Sequence, residues 1–173
     1  QNPIEQEGTY PLPEAQMDRF MLKIVITYPS RDEEREIMRR AGHVARDGSL
    51  GPLIHRDDIV RMRALVDAIY VDEKIDRYIL DLVFATRQPA AHGFPDLERF
   101  ITYGASPRAS INLVLAARAM AFLRGRGYVV PQDVKDVAAD VLRHRIIPSY
   151  EADAEGMTVD RLIARLLAET PVP

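Results

Sequence analysis

Apolar and polar positions along the chain follow the 3.6-residue helical period far more often than the two-residue period of a half-buried strand. Pro3, Gly8, Pro11 and Pro13 make the first twenty residues mostly loop, with room for a short helix from Pro13 to Arg19. Phe20 to Thr27, a run of apolar and β-branched residues ended by Pro29, reads as a buried strand. Ser30 and Glu33 then have capping-box spacing. Asp32, Glu33 and Glu34 crowd that helix's first turn, Arg39 and Arg40 its last, and Gly42 follows as a C-cap. A second helix presents Ile59, Met62, Val66 and Ile69, with Asp57 or Asp58 as cap. A third presents Ile75, Tyr78, Ile79, Leu82, Val83 and Thr86. The stretch "RQPAAHGFPDLERF" breaks the pattern with two prolines and a glycine. After it Ser106 and Pro107 open a helix whose residues Ile111 to Leu123 are apolar nearly all round, which predicts the central helix of the core. "RGRG", Arg124 to Gly127, closes it. Pro131 and Asp133 start the next helix, over Val134 to Leu142, and Thr158 caps a last one carrying Val159, Leu162, Ile163, Leu166 and Leu167. Five or six helices around a buried one predict a mainly α bundle.

Composition narrows the class. The 173 residues are 47% hydrophobic and 28% charged, as in an ordinary globular protein. With 23 basic against 26 acidic residues the net charge is -3, so no overall positive excess points to nucleic acid or an anionic membrane. Cysteine is absent, which removes disulfides, thiolate metal sites and cysteine nucleophiles together and is compatible with a reducing, cytoplasmic setting. No apolar run is long enough to span a membrane, and no signal pattern opens the chain. It begins without methionine or amphipathic build-up, as if cut from something longer.

Candidate chemistry is sparse. None of the three lysines, Lys23, Lys74 and Lys135, follows a glycine, so the phosphate loop G-x-x-x-x-G-K-[ST] is not present. "AIYVDE", Ala68 to Glu73, imitates a strand ending in a magnesium-binding Asp-Glu pair. The helical spacing that continues from Ile59 instead makes Asp72 and Glu73 the start of the next helix. His43, His55, His92 and His144 lack metal-ligand spacing and read as surface or capping residues, and no metal site is expected. Three polar residues stand out. Asn2 opens the first loop. Arg19 ends the short first helix just before the predicted strand, where an ion pair to Asp18 or Glu14 would account for it. Arg108 sits in the first turn of the Ser106 helix, the wrong end of the dipole for a cation, unless an anion is shared there; a nearby carboxylate would serve.

"QNP", "EGTYPLPEAQMDRF" and "GASPRAS", in that order with helices between, resemble the C-terminal part of a MoxR-type AAA+ ATPase, and "GYVVPQDVKDVAADVLRHRI" resembles the end of its lid. The resemblance implies a helical lid domain over 30–173 and a short residual α/β segment, the end of the ATPase core, over 1–29. It implies that Asn2 is the sensor-1 residue orienting water or the γ-phosphate, that Arg19 is the arginine finger offered to a neighbouring subunit's nucleotide, and that Arg108 is the sensor-2 arginine of the lid. ATP and magnesium belong to the full-length protein, and none is expected on this segment, which lacks the phosphate loop and should be inactive alone. The implied partners are ATP, the neighbouring subunits of a ring, a hexamer in the full-length protein, and von Willebrand factor A proteins, in a chaperone-like role. Severed from its sheet, the strand around Ile24 to Ile26 would present an unpaired edge. The alternative from the residues alone is a helical protein-interaction or DNA-binding module using "RRAGHVAR" and "LRGRGY", against which the acidic balance counts.

Overall fold

The computed structural model describes residues 12–42 and 51–173. Asn2 and the first loop up to residue 11 lie outside the described residues, as does the second half of "RRAGHVAR", residues 43–46.

Helix α1 (Glu14–Met17) is a single turn. Helix α2 (Arg31–Ala41) begins at the predicted capping box: Ser30 Oγ accepts the Glu33 amide while Glu33 Oε2 accepts the Ser30 amide at 2.8 Å. Helix α3 (Arg56–Asp67) starts earlier than a cap at Asp57 or Asp58 would place it. His55 is the N-cap position, and Asp58 acts from inside the first turn by accepting the His55 amide at 3.0 Å. Asp72 caps helix α4 (Glu73–Arg87) by accepting the Lys74 amide, so "AIYVDE" is the helix boundary that its spacing implied.

Two 3-10 turns, Ala90–His92 and Pro95–Phe100, occupy the proline-broken stretch and lead into strand β1 (Ile101–Tyr103). Helix α5 (Pro107–Leu123) and helix α6 (Pro131–Leu142) form the largest helix pair of the bundle, and α4 packs on α5. Strand β2 (Ile147–Pro148) returns antiparallel to β1, helix α7 (Tyr150–Ala154) follows, and helix α8 (Val159–Glu169) closes against α6 and α4.

The main core joins Tyr78, Ile79, Leu82 and Val83 of α4 to Leu113 and Ala117 of α5, Val134, Val141 and Leu142 of α6, and Ile163 of α8. A second cluster of Phe94, Leu97, Phe100, Leu162 and Leu166 sits under the 3-10 turns. The α4, α6 and α8 faces are those that the sequence period selects.

Three expectations change. Phe20 to Thr27 forms no strand; Ile24 and Ile26 are 67% and 91% exposed, because a strand exists only against a partner ladder and none of the described residues supplies one. Helix α5 is buried along one stripe only, Ala109, Leu113, Ala116, Ala117 and Ala121, leaving Ile111, Leu115 and Leu123 exposed. The small side chains of that stripe let α5 and α6 approach closely, so alanine rather than leucine marks the buried face. Helix α3 buries no residue along its length; Ile59 and Met62 are exposed, and only Ile69, past its end, enters the core. The β1–β2 pair and α7 are additions that the sequence period did not indicate.

Candidate functional site

Arg108 lies in the first turn of α5, where Ser106 is the N-cap and accepts the Arg108 amide at 3.2 Å, with Pro107 at the first helical position. The loop that delivers it is seated on the end of α4. Thr86 Oγ1 accepts the Ala105 amide at 2.9 Å and donates to the Val83 carbonyl at 2.7 Å. Arg87 Nε donates to the Ala105 carbonyl at 2.6 Å. Gly104 passes so close that a Cβ there would stand 2.3 Å from the Thr86 carbonyl oxygen.

The anion that relieves Arg108 at its helix N-terminus is Asp18. Arg108 Nη1 donates to Asp18 Oδ2 at 2.7 Å, and Ser106 Oγ donates to both carboxylate oxygens, at 2.8 and 3.0 Å. On the other side Arg145 Nε donates to Asp18 Oδ1 at 3.2 Å. Burial alone would push the Asp18 carboxyl up. The hydrogen bonds from Arg108 and Ser106 and the charge of Arg145 outweigh it and hold the group below its ordinary range. Asp18 is therefore an anion at neutral pH.

Arg145 is the residue that sequence reasoning missed. Its side chain is wholly buried, and besides Asp18 its guanidinium donates to the carbonyls of Asp18, Phe20, Met21 and Val141. Around it His144 Nε2 lies 2.9 Å from the Phe20 carbonyl, Arg143 Nη1 donates to the Lys23 carbonyl at 2.6 Å, and the Lys23 amide donates to the Asp140 carbonyl at 2.8 Å. Residues 18–23 are thus tied along their backbone to the C-terminal end of α6. His144 is buried rather than a surface histidine. A carbonyl can only accept, so Nε2 carries the proton and Nδ1 is left buried without a partner. Burial, with Arg145 and Lys23 nearby, lowers its pKa below the ordinary histidine value. The one signal available was the string "LRHRI", whose basic residues at a helix end match the dipole but name no partner.

Arg19, next to Asp18, is exposed on the turn after α1, and its amide donates to the Gln16 carbonyl at 3.3 Å. The ion pair to Asp18 that would have accounted for it is not made; Asp18 faces Arg108 and Arg145. The structure therefore brings the neighbour of Arg19, not Arg19 itself, against Arg108. The second basic segment considered for phosphate contact is committed elsewhere. Arg124 and Arg126 both hold the buried Asp133, and Arg124 also holds Asp136. Among the described residues no group of three or more His, Asp or Glu is placed to hold a metal ion, and no helix is long and apolar enough to cross a membrane.

Comparison with known proteins bears on the family of the chain. Residues 97–166 match the family model described as "AAA lid domain", and residues 1–22 match "ATPase family associated with various cellular activities (AAA)". "Chaperone MoxR1" of Mycobacterium tuberculosis is 43% identical over 173 residues, 100% of this chain and 45% of that protein. "Protein MoxR" of Paracoccus denitrificans is 36% identical over 185 residues, covering 99% of this chain and 54% of that protein. A crystal structure of a putative ATPase from Cytophaga hutchinsonii superimposes with a TM-score of 0.94 at 46% identity, over 100% of this chain and 52% of that one. The chain spans about half the length of the curated relatives it matches. Its two family matches, the overlap of its relatives and the solved neighbour agree, and the chain belongs to the MoxR family of AAA+ proteins, corresponding to the C-terminal part of its members.

Proposed function

We propose that this chain is the lid and nucleotide-sensing part of an ATP-hydrolysing MoxR-family protein, with residues 1–29 ending the ATPase core and 30–173 forming the lid. Arg108 contacts the nucleotide phosphates from the lid, Arg19 reaches the nucleotide of a neighbouring subunit as an arginine finger, and Asn2 orients the attacking water or the γ-phosphate.

The observation that carries the reading is the placement of Arg108: a half-exposed guanidinium at the N-terminal turn of α5, held among the described residues by its ion pair to Asp18, on a loop docked to α4. Phosphoryl transfer needs positioning and charge neutralisation more than covalent help. An arginine's permanent charge and planar fork, beside the partial positive charge of a helix start, fit phosphate oxygens well. ATP and magnesium are held in the main by the part of the full-length protein that carries the phosphate loop. These residues contribute the sensing and not the cradle.

A contact made in one nucleotide state and lost in the other gives the lid two positions relative to the core, which is what remodelling a partner protein requires. The expected setting is a cytoplasmic ring, a hexamer, working beside von Willebrand factor A proteins in a chaperone-like role. In the full-length protein, Arg19→Ala should lower ATP turnover about 10³-fold, the scale of an arginine finger, and Arg108→Ala should lower it strongly without unfolding the lid. Near-normal turnover in both variants would sink the reading.

A further inference from the structure

The two arginines on Asp18 are held very differently. Arg145 is wholly buried and donates to four backbone carbonyls as well as to the carboxylate, so it would keep its place if the carboxylate turned away. Arg108 is 55% exposed, and the partner that holds its guanidinium is Asp18. The carboxylate itself is ionised and only 17% exposed, steadied by the Ser106 hydroxyl, so it is a fixed anion with one exchangeable cation.

Asp18 also sits at a junction of the chain. Its own carbonyl accepts from Arg145 Nη2 at 2.9 Å, Arg19 is the next residue, and the following backbone to Lys23 is bound to the end of α6. Whatever pulls Arg108 off Asp18 removes a hydrogen bond and a counter-charge from the segment that carries Arg19.

We infer that Asp18 is a positioning residue that competes with nucleotide phosphate for Arg108: it holds the guanidinium at the start of α5 when no phosphate is present, and yielding it couples Arg108 to the segment bearing Arg19. The inference rests on the reading of Arg108 as a phosphate contact. It adds that the anion paired with Arg108 is a built-in stand-in for that phosphate, supplied from 90 residues away in sequence. An intrinsic competitor reduces apparent affinity to the fraction of time it leaves the site free, and removing it raises affinity by the reciprocal of that fraction.

Asp18→Asn in the full-length protein tests this, because an asparagine keeps an oxygen for Ser106 and Arg145 but has no charge with which to hold Arg108. Nucleotide Kd and KM for ATP should both fall about fivefold, the scale of a half-exposed ion pair. The kcat should fall as well, because Arg108 and the Arg19 segment are no longer linked. In the Asp18→Asn, Arg108→Ala double variant the tightening should vanish. A merely structural Asp18 would instead raise Kd and KM as the site loosens, and a Kd that rises or stays level in folded Asp18→Asn protein overturns the inference.

Should that variant not fold, Asp18→Glu keeps the charge and displaces the carboxylate by one methylene. It should tighten binding in the same direction by a smaller factor, and no tightening would count equally against the proposal. Arg108→Ala alone separates the two levels. If it leaves nucleotide binding untouched, the phosphate reading fails and the competition fails with it. If it weakens binding while Asp18→Asn does not tighten it, only the competition fails.

Discussion

A methyl group on Gly104 would lie 2.3 Å from the Thr86 carbonyl oxygen and 2.7 Å from Arg87 Cα, both backbone atoms that cannot rotate aside. Gly104→Ala should therefore cost about 2 kcal/mol or more, read as a lower denaturation midpoint, because the loop must lift off α4 and give up the Thr86 and Arg87 hydrogen bonds. A midpoint within experimental error of the parent would refute the close approach. The glycine was legible as part of "GASPRAS", but its reason was not: nothing local in the sequence brings α4 against residue 104. Arg108 shows the same division. Its misfit to the helix dipole was readable from Ser106 and Pro107, and a carboxylate was a fair expectation, yet which carboxylate was a tertiary matter. Asp18 could be named only once the chain had folded back across the bundle, and Arg145, with no local oddity to mark it, was invisible beforehand.

At the scale of elements, caps and periods were the most legible features, since they depend on residues three or four apart. The Ser30–Glu33 box, the Asp72 cap, the Ser106–Pro107 start and the apolar faces of α4, α6 and α8 all stand where the pattern puts them. Asp133 was readable as a first-turn acid, and it does accept the Val130 amide at 2.9 Å. Its larger role spans two helices. The carboxylate is fully buried and receives Arg124 and Arg126 from the turn after α5, so it clasps α5 to α6. The two guanidiniums and the Val130 amide outweigh the burial that would raise its pKa, and hold it below the ordinary carboxylate range. Asp133→Ala should destabilise the bundle by about 2 to 3 kcal/mol, since it strands a backbone donor and two cations that only partly reach water. Thermal or denaturant unfolding measures it, and a loss under about 0.5 kcal/mol would show the clasp to be ornamental. The apolar run from Phe20 and the apolar face of α3 stay largely exposed. Hydrophobicity says only that a surface favours burial, not which element covers it.

Across the whole molecule, the junction between residues 18–23 and the end of α6 decides how the N-terminal segment is held against the lid. It makes a pH prediction. His144 is neutral in the fold, with Nε2–H on the Phe20 carbonyl and Nδ1 buried, and Arg145, Lys23 and Asp18 are the charged groups that act on it. Its folded pKa lies below the unfolded one, so the unfolded chain takes up the proton first. The stability it contributes is complete above the ordinary value of 6.5 and is lost as pH falls from there through the folded pKa. The Asp18 carboxylate, also depressed, sustains its contribution until well below that range and loses it only under strong acid. The melting temperature should therefore drop between pH 7.5 and pH 5.5, on the order of a few degrees. His144→Gln should lose less over the same interval; equal losses in both would assign the acid sensitivity to another group. The sequence by itself determined the longer helices, most of their caps and the motif strings that carry the family resemblance, because each rests on neighbours within one or two turns or on a contiguous string. Only the tertiary structure decided which anion meets Arg108, that Arg145 and His144 are buried at a junction, that α5 leaves Ile111, Leu115 and Leu123 exposed, and that Phe20 to Thr27 has no ladder among the described residues. Each of these depends on contacts between residues far apart in the chain, and there the local pattern carries no information about the partner.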